Sequence, residues 1–295
     1  VGPGDIFCVA KVDALQLCRT VTAPGAHVVC EPPPFRKSMV QVAVTSPSRG
    51  EEHKVASALA RLAEEDPSFH VERHPETNEL IASGRSSLHL DVVLGRARKR
   101  FKVEVETHVP RVPLKETVLG ASDGHHRHKK QTGGRGQFGE VYLRVRPTQR
   151  GSGFEFADVT VGGSVPKNFI PAIEKGVRET MARGVLAGYP VMDVRVEVYD
   201  GKHHPVDSSE AAFKMAGAKA FRDAFLKAKP TLLEPIMDVE IDVLAEYMGA
   251  ITGDLNTRRG RINGMDSHDD HQVIRAQVPL SEVQTYSTDL RSITS

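Results

Sequence analysis

The chain has no tryptophan, and aromatic residues of any kind make up only 5% of its 295 positions. It has no excess of charge of either sign, since 39 basic residues stand against 38 acidic ones. Any binding to nucleic acid must therefore come from local patches and not from bulk charge. No apolar run approaches the roughly 20 residues that span a bilayer, and no signal peptide opens the chain. We expect a cytoplasmic protein that makes no membrane contact.

Cysteine is also scarce. Cys8, Cys18 and Cys30 are odd in number, lack a metal-ligand spacing and lie at one end of the chain. They indicate reduced thiols and argue against a disulfide framework or a zinc site. The length, with 39% hydrophobic and 26% charged residues, is typical of an ordinary protein of two or three domains. The unusual start, Val-Gly-Pro-Gly, predicts a fragment of something longer.

The most informative stretch is His125–Gly139, HHRHKKQTGGRGQFG, which mixes imidazoles and cations with glycine. A second stretch, Asp200–Asp207, has a similar composition. Lysine and arginine supply phosphate contacts, glycine permits close backbone approach, and glutamine hydrogen-bonds bases or 2′-hydroxyls. The pattern favours two RNA-binding loops at one end of one domain. The candidate residues are Lys129, Lys130, Gln131, Gly133, Gly134, Arg135, Gly136, Gln137, Lys202, His203 and His204.

Other interpretations of the basic stretch are open at this point. Its glycines match the dinucleotide fingerprint, but the alternation after Gly139 predicts a strand where that fingerprint needs a helix. A kinase glycine-rich loop does precede a strand, yet the V-A-I-K, H-R-D and D-F-G strings do not follow. The clustered histidines have no Cys, Asp or Glu nearby at a ligand spacing, so no metal site is expected. A solvated basic loop is the plainest alternative.

Three segments of the chain have patterns typical of small globular domains or of a remnant of one. Residues 1–33 contain the β-type runs Ile6–Val12 and His27–Val29, which predict the remnant of an upstream β-barrel and a proline-rich linker. Residues 34–109 follow the order βαββαβ, the ferredoxin-like unit. Its last strand is predicted at Val103 and Val105. Residues 230–295 repeat the order as βαββα, with a last helix at about Ser281–Arg291, so the closing strand is either absent from the chain or disordered.

Residues 110–229 predict a different mixed domain. The first basic stretch precedes a strand, and the second joins a strand to a helix. Asp207-Ser208-Ser209-Glu210 is the expected capping box of that helix. Alternation in the strand before it predicts one polar face and one buried face. The expected elements are strands at Pro113–Leu119, Val141–Val145, Phe154–Thr160 and Val191–Tyr199, a helix at Pro166–Arg183 that ends at Gly184, and a second helix that stops at Pro230.

Seven motifs in order make the chain resemble the C-terminal half of bacterial elongation factor G. They lie at Leu59–Pro67, Lys129–Gly139, Gly184–Val194, Val206–Gly217, Leu232–Ile241, Gly253–Gly260 and Val278–Ser292. The resemblance runs from the end of that family's second domain through most of its fifth. It implies an α+β multidomain fold, with ferredoxin-like domains at 34–109 and 230–295. These flank a tip domain at 110–229 that resembles the second domain of ribosomal protein S5.

The same resemblance implies a function in protein synthesis. The family drives GTP-dependent translocation of tRNA and mRNA, and the tip of its fourth domain enters the decoding centre. His204 matches the histidine that approaches the codon–anticodon duplex. The implied partners of what is expected to be a monomer are the 70S ribosome, ribosomal RNA, the tRNA–mRNA complex, ribosomal protein S12 and the stalk base.

The family's motor is not in this sequence. No G-x-x-x-x-G-K-[ST] string occurs in it, so we expect no cofactor, metal or catalytic residue here, and GTP and Mg only in a separate GTPase domain. Two motifs depart from the family: His203-His204-Pro205 replaces Tyr-His-Asp or Tyr-His-Glu, and Gly84–His89 differs from Gly-Met-Gly-Glu-Leu-His. A ribosome-recycling or ribosomal-protection paralogue, or a non-catalytic RNA-binding module, is therefore the alternative to a translocase.

Overall fold

The computed structural model describes residues 2–10, 12, 15, 17–35, 37–48, 50–131 and 136–294, with His268 described in its backbone only. The chain divides into two compact units, one made of Val1–Val112 with Ile236–Ser295 and the other of Pro113–Pro235. The first unit contains two hydrophobic cores and the second contains one. Among the described residues, no helix has the length and apolarity to cross a membrane.

The first core of unit 1 belongs to a ferredoxin-like domain. Its elements are β1 (Val40–Thr45), α1 (Glu52–Glu65), β2 (His70–Arg73), β3 (Leu80–Gly84), α2 (Ser87–Phe101) and β4 (Glu106–His108). The strand order β2-β3-β1-β4 and the predicted βαββαβ sequence are both present. Ser86 caps α2 by accepting a hydrogen bond from the backbone N–H of His89. The last strand starts later than predicted. Val103 and Val105 are buried, but they lie in the segment before it.

Residues 2–35 lie outside this core. Their described part forms no strand and closes no barrel, so the predicted β-type runs Ile6–Val12 and His27–Val29 are wrong there. Side chains such as those of Ile6 and Val29 are exposed, which removes the packing that would favour pairing. The assignment of this segment to an upstream domain stays a prediction.

Unit 2 is a two-layer α/β domain. Its elements are β5 (Lys115–Val118), β6 (Ser122–Lys130), β7 (Gln137–Pro147), β8 (Phe154–Asp158), α3 (Ile170–Arg183), β9 (Val194–Lys202), α4 (Glu210–Lys227) and β10 (Pro230–Leu233). The main sheet has the order β6-β7-β9-β8, with β8 parallel to β9. Both helices pack on one of its faces, where Val141, Val196, Phe213 and Phe221 are fully buried.

The structure corrects the predicted first loop. His125–Lys130 is not a loop, because it belongs to β6 and pairs with β7 along its whole length. The basic stretch is therefore mostly the first arm of a β-hairpin. The strand β10, which pairs with β5, was not predicted.

Two further predictions about this unit are wrong. The cap of α4 is Ser209, which accepts from the N–H of Ala212, so the expected box from Asp207 to Glu210 does not form. The predicted strand Val191–Tyr199 starts three residues too early, although its alternation is confirmed: Val194, Val196 and Val198 are fully buried, and the polar residues Arg195 and Glu197 lie on the other face. Asp193 has φ 56°, and β9 begins after it. Gly184, with φ 75°, ends α3 as predicted.

The remaining core of unit 1 has the predicted βαββα order. Its elements are β11 (Ile236–Leu244), α5 (Met248–Thr257), β12 (Arg261–His268), β13 (His271–Pro279), α6 (Leu280–Val283) and α7 (Tyr286–Ile293). The single last helix that was predicted is thus two short helices. Arg258 ties them to α5, since it donates to Asp254, to the Glu282 carbonyl and to Asp289.

Candidate nucleic-acid interface

The hairpin of β6 and β7 projects beyond the rest of its sheet. Pairing between β7 and β9 stops at Glu140 and Lys202, whereas β6 and β7 stay paired out to Lys130 and Gln137. Three residue pairs therefore extend past β9, which is roughly 10 Å at about 3.4 Å per residue. Three of the predicted site residues, Gly133, Gly134 and Arg135, lie outside the described residues.

The loop between β9 and α4 is joined to the far end of this hairpin. The backbone N–H of Gly136 donates to Asp207 Oδ1 at 3.1 Å, and that of Phe138 donates to the Asp207 carbonyl at 2.8 Å. The Ser208 hydroxyl donates to the Phe138 carbonyl at 3.0 Å. The described parts of the two basic segments therefore lie side by side at one end of the unit. We call this end, residues 128–131, 136–138 and 202–208, the tip.

His204 has a defined orientation at the tip. Its Nδ1 accepts from the backbone N–H groups of Val206 and Asp207 at 3.3 and 3.2 Å, and its own N–H donates to the Ser208 hydroxyl. A neutral imidazole that accepts at Nδ1 carries its proton on Nε2. The side chain is half exposed, so this Nε2–H donor is available to a partner.

The lysines of the tip are available for anions. Lys129, Lys130 and Lys202 are exposed, and none of them forms a salt bridge with an acidic residue that the structure describes. His203 is exposed beside them. Gln137 is already engaged, since its Oε1 lies 3.0 Å from His128 Nε2. The tip thus presents several unneutralised cations together.

A buried carboxylate fixes the root of the hairpin. Glu140 is 0% exposed, and its Oε1 accepts from His125 Nε2 at 2.8 Å and from the Tyr142 hydroxyl at 3.2 Å. Its Oε2 is paired with Arg127 Nε at 2.9 Å. Burial alone would raise the pKa of Glu140, but its ion pair with Arg127 and its hydrogen bonds with His125 and Tyr142 outweigh burial and hold that pKa below its ordinary value.

Glu140 was not predicted as a site residue, because a single acidic residue in a predicted strand carries no motif. Its one signal was register: in a tight hairpin it falls opposite Arg127. The three histidines of β6 do not converge, because His125 points to the face of the sheet opposite to that of His126 and His128. Within the described residues, no group of three His, Cys, Asp or Glu is arranged to hold a metal ion.

Three family models match consecutive parts of the chain. They are Elongation Factor G, domain III, over residues 35–109, Elongation factor G, domain IV, over 110–229, and Elongation factor G C-terminus over 231–295. The fold and these matches define the chain as part of a translation factor. It belongs to the elongation factor G family, as the resemblance implied, with domains III, IV and V in the predicted α+β arrangement.

A solved structure is similar over most of this chain. It is the crystal structure of ttk003000868 from Thermus thermophilus, which is 41% identical with a TM-score of 0.77. The match covers 89% of this chain and 39% of that one. The chain therefore spans well under half the length of this relative.

Proposed function

We propose that this chain is the ribosome-binding part of a translational GTPase that moves tRNA and mRNA through the 70S ribosome. The tip enters the decoding centre of the small subunit, and the ferredoxin-like domains contact ribosomal protein S12 and the stalk base. Membership of the elongation factor G family supports the ribosome as the partner. The observation that carries the proposal is the link between Gly136 and Asp207, which unites both basic segments in one tip.

The chemistry of the tip suits an RNA surface whose sequence varies. Lys129, Lys130 and Lys202 contact phosphates, so affinity falls steeply with salt but does not depend on base identity. The Nε2–H of His204 donates to a 2′-hydroxyl or a base edge in the shallow minor groove of an RNA duplex. Such a tip holds a codon–anticodon duplex without reading its sequence.

The work of the tip is mechanical. GTP and Mg bind to the GTPase domain that the family carries, and this chain supplies no P-loop. Binding energy at the tip stabilises the moved state of tRNA and mRNA while the motor domain changes conformation, because a ligand shifts a conformational equilibrium only by its differential affinity.

His204→Ala in the full-length protein is expected to slow tRNA–mRNA movement about tenfold, the effect of losing roughly 1.4 kcal/mol of stabilisation. Ribosome-stimulated GTP hydrolysis stays near normal, since the motor is elsewhere. The measurement is the rate of mRNA movement on pre-translocation ribosomes in a stopped-flow instrument, beside phosphate release.

Two control variants separate the loss of the outward hydrogen-bond donor of His204 from a loss of the local turn around it. His204→Asn keeps an acceptor for the N–H groups of Val206 and Asp207, but its shorter amide group does not reach as far outward as the Nε2–H of histidine, so it should be as slow as alanine. His53→Ala removes an exposed histidine on α1 and should move mRNA normally. A normal rate in both His204 variants would refute the role of the tip histidine.

The isolated chain is expected to give no heat on titration with GTP and Mg in a calorimeter. The physical reason is that a P-loop backbone and its lysine, which hold the phosphates, do not occur in this sequence. A saturable signal with the nucleotide would show a nucleotide site in these residues and contradict the proposed division of labour.

A ribosome-recycling paralogue is the second candidate. Pro205 stands where the family usually has an acidic residue, so the position beside the tip histidine lacks both that charge and a backbone N–H. Parallel assays separate the two candidates. Subunit splitting with a recycling factor, without stimulation of mRNA movement, would favour recycling.

A further inference from the structure

The main sheet of unit 2 has one face covered by helices and one face open. Helices α3 and α4 pack on the first, and no described helix of this unit covers the second. Residues that point outward on β6, β7 and β9 form the open face, and those that carry the argument are Arg127, Tyr142, Arg144, Arg146, Tyr199 and Asp200. This surface runs without a break from the tip toward the opposite end of the sheet.

Aromatic rings and guanidinium groups line the centre of the open face. The rings of His125 and Tyr142 are stacked with centroids 4.1 Å apart, and Tyr199 lies 6.2 Å from Tyr142. The guanidinium of Arg144 lies over the ring of Tyr199 at 5.5 Å. Rings and guanidinium planes on an open sheet are the groups on which unpaired bases and riboses stack.

The charges of this face are layered. The carboxylates of Glu140 and Glu197 lie beneath, at 0% and 11% side-chain exposure, while Arg127, Arg144 and Arg146 are 44–52% exposed above them. Above these two buried carboxylates an approaching molecule therefore meets guanidinium groups first. Each guanidinium is held by an ion pair, which lowers the entropy lost when it binds a partner.

We propose that the open face of this sheet is a second RNA-binding surface, continuous with the tip. An RNA strand lies along it with its phosphates on Arg127, Arg144 and Arg146 and a base or ribose against Tyr142 and Tyr199. This inference rests on the proposed function and extends it, because it assigns the ribosomal or transfer RNA behind the tip to a defined surface.

RNA fits this surface better than a protein partner does. Protein interfaces have an apolar centre, but the outward positions of β7 and β9 from Glu140 to Arg146 and from Arg195 to Tyr199 include no aliphatic side chain. Arg127 also lies two residues from Lys129 on the same face of β6, so one phosphate backbone can follow both. Exposed carboxylates lie at the two sides of the surface, at Asp123 and Glu155, and a third, Asp200, lies opposite Tyr142. The phosphates therefore follow the guanidinium groups of β6 and β7, away from Asp200.

The test is ribosome binding of the full-length double variant Arg144→Gln with Arg146→Gln over a range of salt concentrations. Losing two phosphate contacts should weaken binding about tenfold and make the slope of log K against log salt shallower by roughly 1.5. Lys175→Gln with Arg178→Gln removes the same charge from α3 in the helix layer, and should leave both quantities unchanged.

The tip variant Lys129→Gln with Lys130→Gln shows whether a negative result contradicts only this inference or the proposed function as well. A wild-type slope for the sheet variant beside a reduced slope for the tip variant overturns this inference and leaves the proposed function standing. Wild-type slopes for both variants overturn the two together.

A photo-cross-linking residue in place of Tyr199 provides a test that does not depend on the arginine variants folding. It should give a nuclease-sensitive product with ribosomal or transfer RNA. A product with ribosomal protein alone would assign the face to a protein partner and overturn the inference.

Discussion

Glu116→Ala is expected to destabilise unit 2 by about 3 to 5 kcal/mol, because it removes the carboxylate that holds a whole loop. Glu116 is 0% exposed on β5. Its Oε2 accepts from the N–H groups of Val185 and Leu186 at 2.6 and 2.8 Å. Its Oε1 accepts from three more, those of Ala187, Gly188 and Tyr189, at 2.7 to 3.1 Å.

Glu116→Ala should increase local opening of this loop more than it increases unfolding of the rest of the unit. Hydrogen exchange followed by mass spectrometry should show the 184–190 segment losing protection in Glu116→Ala. Glu174→Ala, which removes an exposed helical ion pair with Arg178, should cost less than about 1 kcal/mol. If both variants unfold at the same denaturant concentration, the loop does not depend on Glu116.

The same carboxylate makes the stability of unit 2 depend on pH. Burial alone would raise the pKa of Glu116, but the backbone N–H donors outweigh it and hold that pKa below 4.5. A depressed folded-state pKa stabilises the fold fully above the unfolded value, and that contribution is lost as pH falls through the folded value. The free energy of unfolding of the wild type, measured with urea, should therefore fall below about pH 4.5. In Glu116→Gln, which has no carboxyl at this position, it should fall less over the same pH range.

Gly124→Ala is expected to cost about 3 kcal/mol, at the upper end of overpacking effects, because the new methyl group has no room. A Cβ at this position of β6 would lie 2.2 Å from the carbonyl oxygen of Ala220 and 2.6 Å from the nitrogen of Ala224, both in the backbone of α4. Backbone atoms cannot rotate aside as a side chain can, so strand and helix must separate.

A glycine in the same unit provides the control for this substitution. A Cβ at Gly120 would meet the Ala228 carbonyl oxygen at 3.6 Å, which is ordinary contact, so Gly120→Ala should change stability by less than about 1 kcal/mol. Chemical unfolding monitored by circular dichroism compares the two variants. Since β6 is one arm of the hairpin, Gly124→Ala should also weaken ribosome binding, and equal stability of both variants would contradict the close approach of β6 and α4.

The hairpin shows where local sequence patterns are insufficient. His125–Lys130 has the composition of a solvated loop, and nothing in its own residues distinguishes it from one. Its pairing with β7 is what makes it a strand, since the register puts Arg127 opposite Glu140 and Lys129 opposite Phe138. Gly124 contributes as well, because a missing side chain lets β6 lie against α4.

The cap of α4 was only partly predictable for a similar reason. The expected capping box begins at Asp207, but Ser209 within it is also a residue type that caps helices. The structure uses Ser209 because Asp207 is occupied by the N–H of Gly136, 71 positions away along the chain. A competing long-range hydrogen bond selected the cap.

The sequence by itself determined the features that depend on periodic patterns, on helix-ending residues and on short motifs. The apolar faces of α1 and α4, the glycine that ends α3, the ferredoxin-like order of two segments and the family motifs all follow from residues close together in the chain. Tertiary structure decided the rest: the hairpin, the tip that joins both basic segments, and the buried carboxylates Glu116 and Glu140. These depend on partners far away along the chain, and a charged group becomes stable in the interior only when folding brings its donors to it.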